Sequence, residues 1–102
     1  MTVVGFLSCA PVTKASMSDE VAAAVDALED FDVTYEIGPM GTTIEAQTTD
    51  ELFSAVQAAH EAVDADRVST VLKIDDQRSV DRSAWDKVET VEAELGRPAT
   101  NR

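Results

Sequence analysis

Val33-Thr34-Tyr35-Glu36-Ile37-Gly38-Pro39-Met40-Gly41-Thr42-Thr43-Ile44-Glu45-Ala46-Gln47 is the stretch whose pattern decides how this chain folds. Val33, Tyr35 and Ile37 alternate with Asp32, Thr34 and Glu36, the period-two signature of a strand with one buried face. Gly38-Pro39-Met40-Gly41 then breaks the pattern with two glycines and a proline, a turn composition. From Thr42 to Gln47 the alternation resumes around Ile44. Two alternating runs joined by a short turn predict a β-hairpin.

Working outward, each arm of the hairpin is flanked by a helical pattern and then by another strand. Upstream, Val21, Ala24, Val25 and Leu28 recur at helical spacing, and Ser18 with Asp19 and Glu20 makes a suitable helix start, so a helix is predicted from Ser18 to about Asp30. Before it, Thr13 to Met17 reads as a loop, and Thr2 to Cys9, rich in Val, Phe and Leu and stopped by Pro11, reads as a strand. Downstream, Thr49 is the expected cap of a second helix whose inner stripe is Leu52, Phe53, Val56, Ala59, His60 and Val63. Val68, Thr70, Leu72 and Ile74 alternate as a fourth strand, Asp75-Asp76-Gln77-Arg78 reads as a turn, and Ala84 to Leu95 as a third helix. The order β-α-β-β-α-β plus a terminal helix predicts an α+β fold. It is the ferredoxin-like sandwich, a four-stranded antiparallel sheet with the first two helices on one face. Residues 1–95 form one expected domain, and residues 96–102 a polar, frayed tail.

Composition restricts the function. The 102 residues are 44% hydrophobic and 27% charged, ordinary for a globular domain large enough to build a core without staples. Twenty Asp and Glu against eight Lys and Arg leave a net charge of −12, a field that repels nucleic-acid phosphates and anionic lipid. Short carboxylates in place of lysine, with only Lys14, Lys73 and Lys87 present, match adaptation to a salt-rich cytoplasm, where screening removes self-repulsion. An ordinary acidic protein is the alternative. The apolar start, Met1 to Ala10, lacks the basic flank of a signal peptide, and no run approaches the ~18 apolar residues of a membrane span, so a cytoplasmic address is expected.

If Ile44, Leu72 and Ile74 face the helices, alternation puts Thr34, Glu36, Thr43, Glu45, Gln47, Val71, Lys73 and Asp75 on the opposite, open face. Such a face is either wholly solvated or covered by another subunit that encloses a polar pocket. The third helix bears its own stripe, Trp85, Val88, Val91 and Leu95, which either caps its own core or reaches a neighbouring subunit.

The segment from Tyr35 to Ala46 resembles the signature of the thiamine-binding-protein family, short YkoF-like proteins. Three further pieces fit in order: Ser8-Cys9-Ala10-Pro11-Val12, Ala58-Ala59-His60-Glu61-Ala62-Val63, and Lys73-Ile74-Asp75-Asp76-Gln77-Arg78. One departure is the loop Thr13-Lys14-Ala15-Ser16, which lacks the glycine expected just after Pro-Val. The resemblance implies subunits paired through their sheets as a homodimer or homotetramer. It also implies binding of thiamine or its hydroxymethylpyrimidine moiety, with Ser8, Met40, Thr42, Thr43, Glu45, Lys73 and Asp75 as ligand-binding residues and no cofactor beyond the ligand itself. The chemistry suits it. A carboxylate (Glu45) and a hydroxyl (Thr43) can address the ring nitrogen and exocyclic amine of an aminopyrimidine, and an acidic protein attracts the thiazolium cation. Met40 either packs on a flat ring or tucks under the sheet edge. Lys73 either neutralises Glu36, Glu45 or Asp75 or meets a phosphate on the ligand.

No enzymatic constellation emerges. Cys9 would need a base beside it to act as a nucleophile, and the one histidine, His60, is expected inside the second helix; Cys9 is read as a buried strand residue. One cysteine and one histidine cannot build a structural zinc site, and Glu45, Asp75 and Asp76 as a divalent-metal site is no more than chance adjacency among twenty acids. Asp75 is expected to hold Lys73 or Arg78. The expectation is a non-enzymatic cytoplasmic binding protein for thiamine or hydroxymethylpyrimidine, acting as carrier, buffer or sensor. The alternative is a regulatory or assembly module with a vestigial pocket and protein partners.

Overall fold

Strands and helices follow one another in the expected order in a computed structural model that describes residues 2–12 and 17–102. The loop residues Thr13–Ser16, and the departure from the family signature noted there, lie outside the described residues. Strand β1 (Thr2–Pro11) is followed by helix α1 (Ser18–Ala27), which closes in a tight 3₁₀ turn at Leu28–Asp30 instead of running on as α-helix. The hairpin strands β2 (Thr34–Ile37) and β3 (Thr42–Ala46) come next, then helix α2 (Thr49–Ala62), strand β4 (Val68–Gln77) and helix α3 (Trp85–Leu95). The sheet order is β2-β3-β1-β4, antiparallel throughout, the ferredoxin-like arrangement.

Register explains the layers. Gly5 pairs with both Ile44 and Ile74, and Leu7 with Thr42 and Leu72; since paired residues share a face, Val3, Gly5, Leu7, Cys9, Ile44 and Ala46 all look toward the helices. There Val3, Leu28, Ile44 and Leu52 are buried completely or nearly so, each such side chain stabilising by about 1.5–3 kcal/mol. Gly5 sits under α2: a Cβ on it would lie 3.0 Å from Leu52 Cδ1, so the absent side chain lets the helix settle onto the strand. Leu72 and Ile74 point the same way but are only partly covered, because β4 is an edge strand.

Several local expectations are corrected. Thr48, not Thr49, caps α2: it has the extended conformation a cap requires (φ −138°, ψ 155°), and its Oγ1 accepts from Glu51 N–H at 3.1 Å. Ser18 is the first residue of α1 and Met17 its cap, already in the right-handed helical region and without a side-chain bond to the helix. On α2 the buried stripe is Leu52, Ala55, Val56, Ala59 and Val63; Phe53 and His60 lie one position off it, about 100° around the helix from Leu52 and Ala59, and are exposed. Finally, Asp75 and Asp76 are not a turn. Backbone pairing with β1 carries β4 on to Gln77, with Val4 opposite Asp75 and Val3 opposite Asp76.

Candidate functional site

The open face is built from the other half of the register. Two rows run across it: Glu36, Thr43, Phe6 and Lys73 in one, and Thr34, Glu45, Val4 and Asp75 in the next. With strands about 4.8 Å apart, Glu36 and Lys73 bracket a row roughly 14 Å wide, with the Phe6 ring and the Thr43 hydroxyl between them. The alternation around Ile44 thus assigns Thr43, Glu45, Lys73 and Asp75 to one face, as expected.

This face is neither bare nor left for a second subunit alone: the chain's own α3 lies on it. Ala84 N–H donates to Glu45 Oε1 at 2.7 Å and Ser83 Oγ to Oε2 at 3.3 Å, so Glu45 holds the start of the helix. The Trp85 indole N–H donates to Glu36 Oε2 at 2.7 Å, and Lys87 Nζ lies 2.7 Å from Asp75 Oδ2. That last contact holds the Asp75 carboxyl below the usual carboxylate range, first through the hydrogen bond and then through the charge of Lys87. It also corrects the expected partner of Asp75: Arg78 instead pairs with Asp76, at 2.9 Å. The core lies across the sheet, so α3 does not cap it. No α3 side chain is buried, and Val88, Val91 and Leu95 remain about half exposed.

Between α3, the sheet and the β2–β3 turn a groove of about 580 Å³ opens, a volume typical of small-molecule sites. Val4, Phe6 and Thr43 floor it, Glu36 and the turn Gly38–Gly41 form one side, and Trp85, Lys87 and Val88 the other. The turn is fixed over the floor by Gly41: a Cβ there would stand 2.6 Å from Phe6 Cζ and 2.8 Å from the Leu7 carbonyl oxygen. A second hollow of about 420 Å³ continues along the floor past Thr43 to Lys73 and Asp75. On the helix side of the same turn lies a smaller cavity of about 160 Å³, lined mostly by apolar side chains of α1 and β1.

The seven residues singled out from the sequence are therefore distributed. Thr43, Lys73 and Asp75 line the open face, and Ser8, paired with Val71, lies on that face by register while also bordering the small cavity, where Thr42 is buried. Met40, 82% exposed at the tip of the turn, borders both. Glu45 shares the open face but is engaged by α3. Phe6, Trp85 and Lys87, which complete the groove, did not emerge from the sequence as site residues. β1 is apolar on both faces, so no alternation marks which way Phe6 points, and nothing local to α3 says which surface it meets.

The remaining reactive side chains are separated from one another or already engaged. Asp75 and Asp76 fall on opposite faces, and no cluster of three metal-ligating side chains occurs among the described residues. Cys9 is buried, and Thr70 Oγ1 donates to its sulfur at 3.3 Å. His60, although exposed, reaches β4: its Nδ1 lies 2.6 Å from the same Thr70 hydroxyl, so a threonine separates base from thiol. Among the described residues no helix is long and apolar enough to cross a membrane.

Known proteins match along nearly the whole chain. The sequence model of a family described as thiamine-binding protein matches residues 6–92. A UPF0045 protein of Methanothermobacter thermautotrophicus is 55% identical over 83 residues, covering 78% of this chain and 84% of the relative. The crystal structure of a hypothetical protein of Methanocaldococcus jannaschii superposes with a TM-score of 0.80 at 32% identity, covering 88% of this chain and 95% of that one. A candidate thiamine biosynthesis/salvage protein of Thermotoga maritima gives a TM-score of 0.77, covering 89% and 99% of the two chains; at 20% identity this likeness speaks to the fold alone. With the family signature spanning both the hairpin and the groove it frames, the chain belongs to the thiamine-binding protein family.

Proposed function

We propose that the protein binds thiamine or its hydroxymethylpyrimidine moiety on the open face of the sheet, without catalysis, as a cytoplasmic carrier, buffer or sensor. One observation carries this reading: the sheet itself brings a hydroxyl, a carboxylate and an aromatic ring (Thr43, Glu36 and Phe6) together in a single groove of about 580 Å³. A flat heteroaromatic ring stacks on Phe6, Thr43 bonds a ring substituent, and the exocyclic amine reaches Glu36 or Glu45. Lys73, at the far end of the floor, is positioned for a phosphate on a phosphorylated form. Ser8 and Thr42 border the small cavity that the turn and Met40 also line.

Isothermal titration with thiamine and with hydroxymethylpyrimidine in molar salt tests the proposal. Thr43→Val, which touches no contact of α3, is expected to weaken binding about 3- to 10-fold, the worth of one hydrogen bond. Absence of saturable binding to the wild-type protein, or undiminished affinity in Thr43→Val, refutes the site. The exposed apolar side chains Val71, Val88, Val91 and Leu95, with the ten-residue edge strand β4, support assembly as a homodimer or homotetramer. The same surface favours the second reading, a module whose partners are proteins.

A further inference from the structure

We propose that α3 is an internal competitor for the open face, docked there in the empty protein and displaced when a ligand binds. The inference rests on the reading above, that this face takes an amine-bearing cation. Three carboxylates look out from the face, and α3 engages all three with the kinds of donor such a ligand would bring. Glu45 receives a backbone N–H at 2.7 Å and a hydroxyl at 3.3 Å, Glu36 an indole N–H at 2.7 Å, and Asp75 an ammonium at 2.7 Å. These contacts all come from Ser83 to Lys87, the start of the helix. Beyond them α3 has no buried side chain, and its apolar residues Val88, Val91 and Leu95 stay about half exposed. A helix held mainly by polar contacts of its first turn exchanges those contacts readily, because it buries far less apolar surface than α1 and α2 do against the sheet. A thiamine amine reaching Glu36 or Glu45 must take a place that α3 occupies, and the observed affinity is lowered by the fraction of molecules in which α3 is docked.

Substituting Glu45 or Glu36 cannot test this, since each change weakens both competitors. Ala84→Pro can. It removes the N–H that reaches Glu45 and leaves the carboxylate in place, and Ala84 already has a φ of −56° that proline accepts at a helix start. The variant is expected to bind thiamine about fivefold or more tightly, as weakened docking competes less. Hydrogen–deuterium exchange supplies the second measurement. Adding thiamine to the wild-type chain should speed exchange of the amides of residues 85–95, and emission from Trp85, the single tryptophan, should shift to the red as the indole leaves Glu36. Slower exchange in α3 on binding, or equal or weaker affinity in Ala84→Pro, makes α3 a fixed wall of the site and overturns the proposal while leaving the binding reading intact. No thiamine binding by either chain removes the binding reading, and the competitor role with it.

Discussion

Replacing Gly41 with alanine tests how the β2–β3 turn is held over the groove. The added Cβ would stand 2.6 Å and 2.9 Å from Phe6 Cζ and Cε2, and 2.8 Å from the Leu7 carbonyl oxygen. Carbon atoms prefer 3.5–4.0 Å, so the ring contact is roughly 0.9 Å too short. Phe6 is 39% exposed and its ring can swing aside, but the Leu7 carbonyl belongs to a strand paired on both sides, with Thr42 and Leu72. The turn must therefore lift, pulling on the bond that closes it, Gly38 N–H to Gly41 O at 2.8 Å. Overpacking of this kind costs about 1–3 kcal/mol. With a urea m-value of about 1–3 kcal/mol/M for a small domain, the unfolding midpoint should fall by about 1 M at unchanged m. The same displacement moves Phe6, so thiamine affinity should fall with stability. Gly38→Ala is the internal comparison: its Cβ meets only the Gly41 carbonyl, at 3.2 Å, and the loss should be clearly smaller. Equal urea midpoints for Gly41→Ala and the wild type would refute the argument that this turn is seated on β1 by the absence of a side chain.

Three further outcomes are expected. Because Lys87 lowers the pKa of Asp75, the stabilisation from that pair is present above the usual carboxylate value of 3.8 and is lost as pH falls through the lower folded value. On acidification below about pH 4 the Trp85 emission should therefore shift as α3 loosens, and Asp75→Asn, which removes the titrating partner of Lys87, should reduce that shift. A net charge of −12 on 102 residues should make the melting temperature rise between about 0.1 M and 2 M KCl as repulsion is screened; a flat or falling profile contradicts salt adaptation. Light scattering at micromolar concentration in molar salt should find a dimer or tetramer, and a monomer alone contradicts assembly through the exposed apolar residues.

Much of the fold was legible because it is written in local periodicity. The alternation of Val33, Tyr35 and Ile37 and of the residues around Ile44 marks two strands, and the two glycines and proline between them force the hairpin. Alternation also placed Thr43, Glu45, Lys73 and Asp75 on one face, since a strand has only two sides. Where periodicity is degenerate, residue type alone does not decide. Thr48 and Thr49 are equally good caps by composition, and only backbone conformation separates them. Phe53 and His60 fit a helical stripe by spacing, yet they fall at the edge of the arc that α2 presents to the sheet.

By itself, then, the sequence determined the order of elements, the two faces of the sheet, the acidic surface and membership in the family, all of which depend on residue types at short spacing. The tertiary structure alone decided what covers the open face. Glu45 meets Ala84 and Glu36 meets Trp85 across 39 and 49 residues, so each contact depends on the direction in which the chain leaves β4. Asp75 chose Lys87, not the nearer Lys73 or Arg78, for the same reason. Among twenty carboxylates any cation finds a sequence neighbour, and only the packing of α3 on the sheet selects which pairs form.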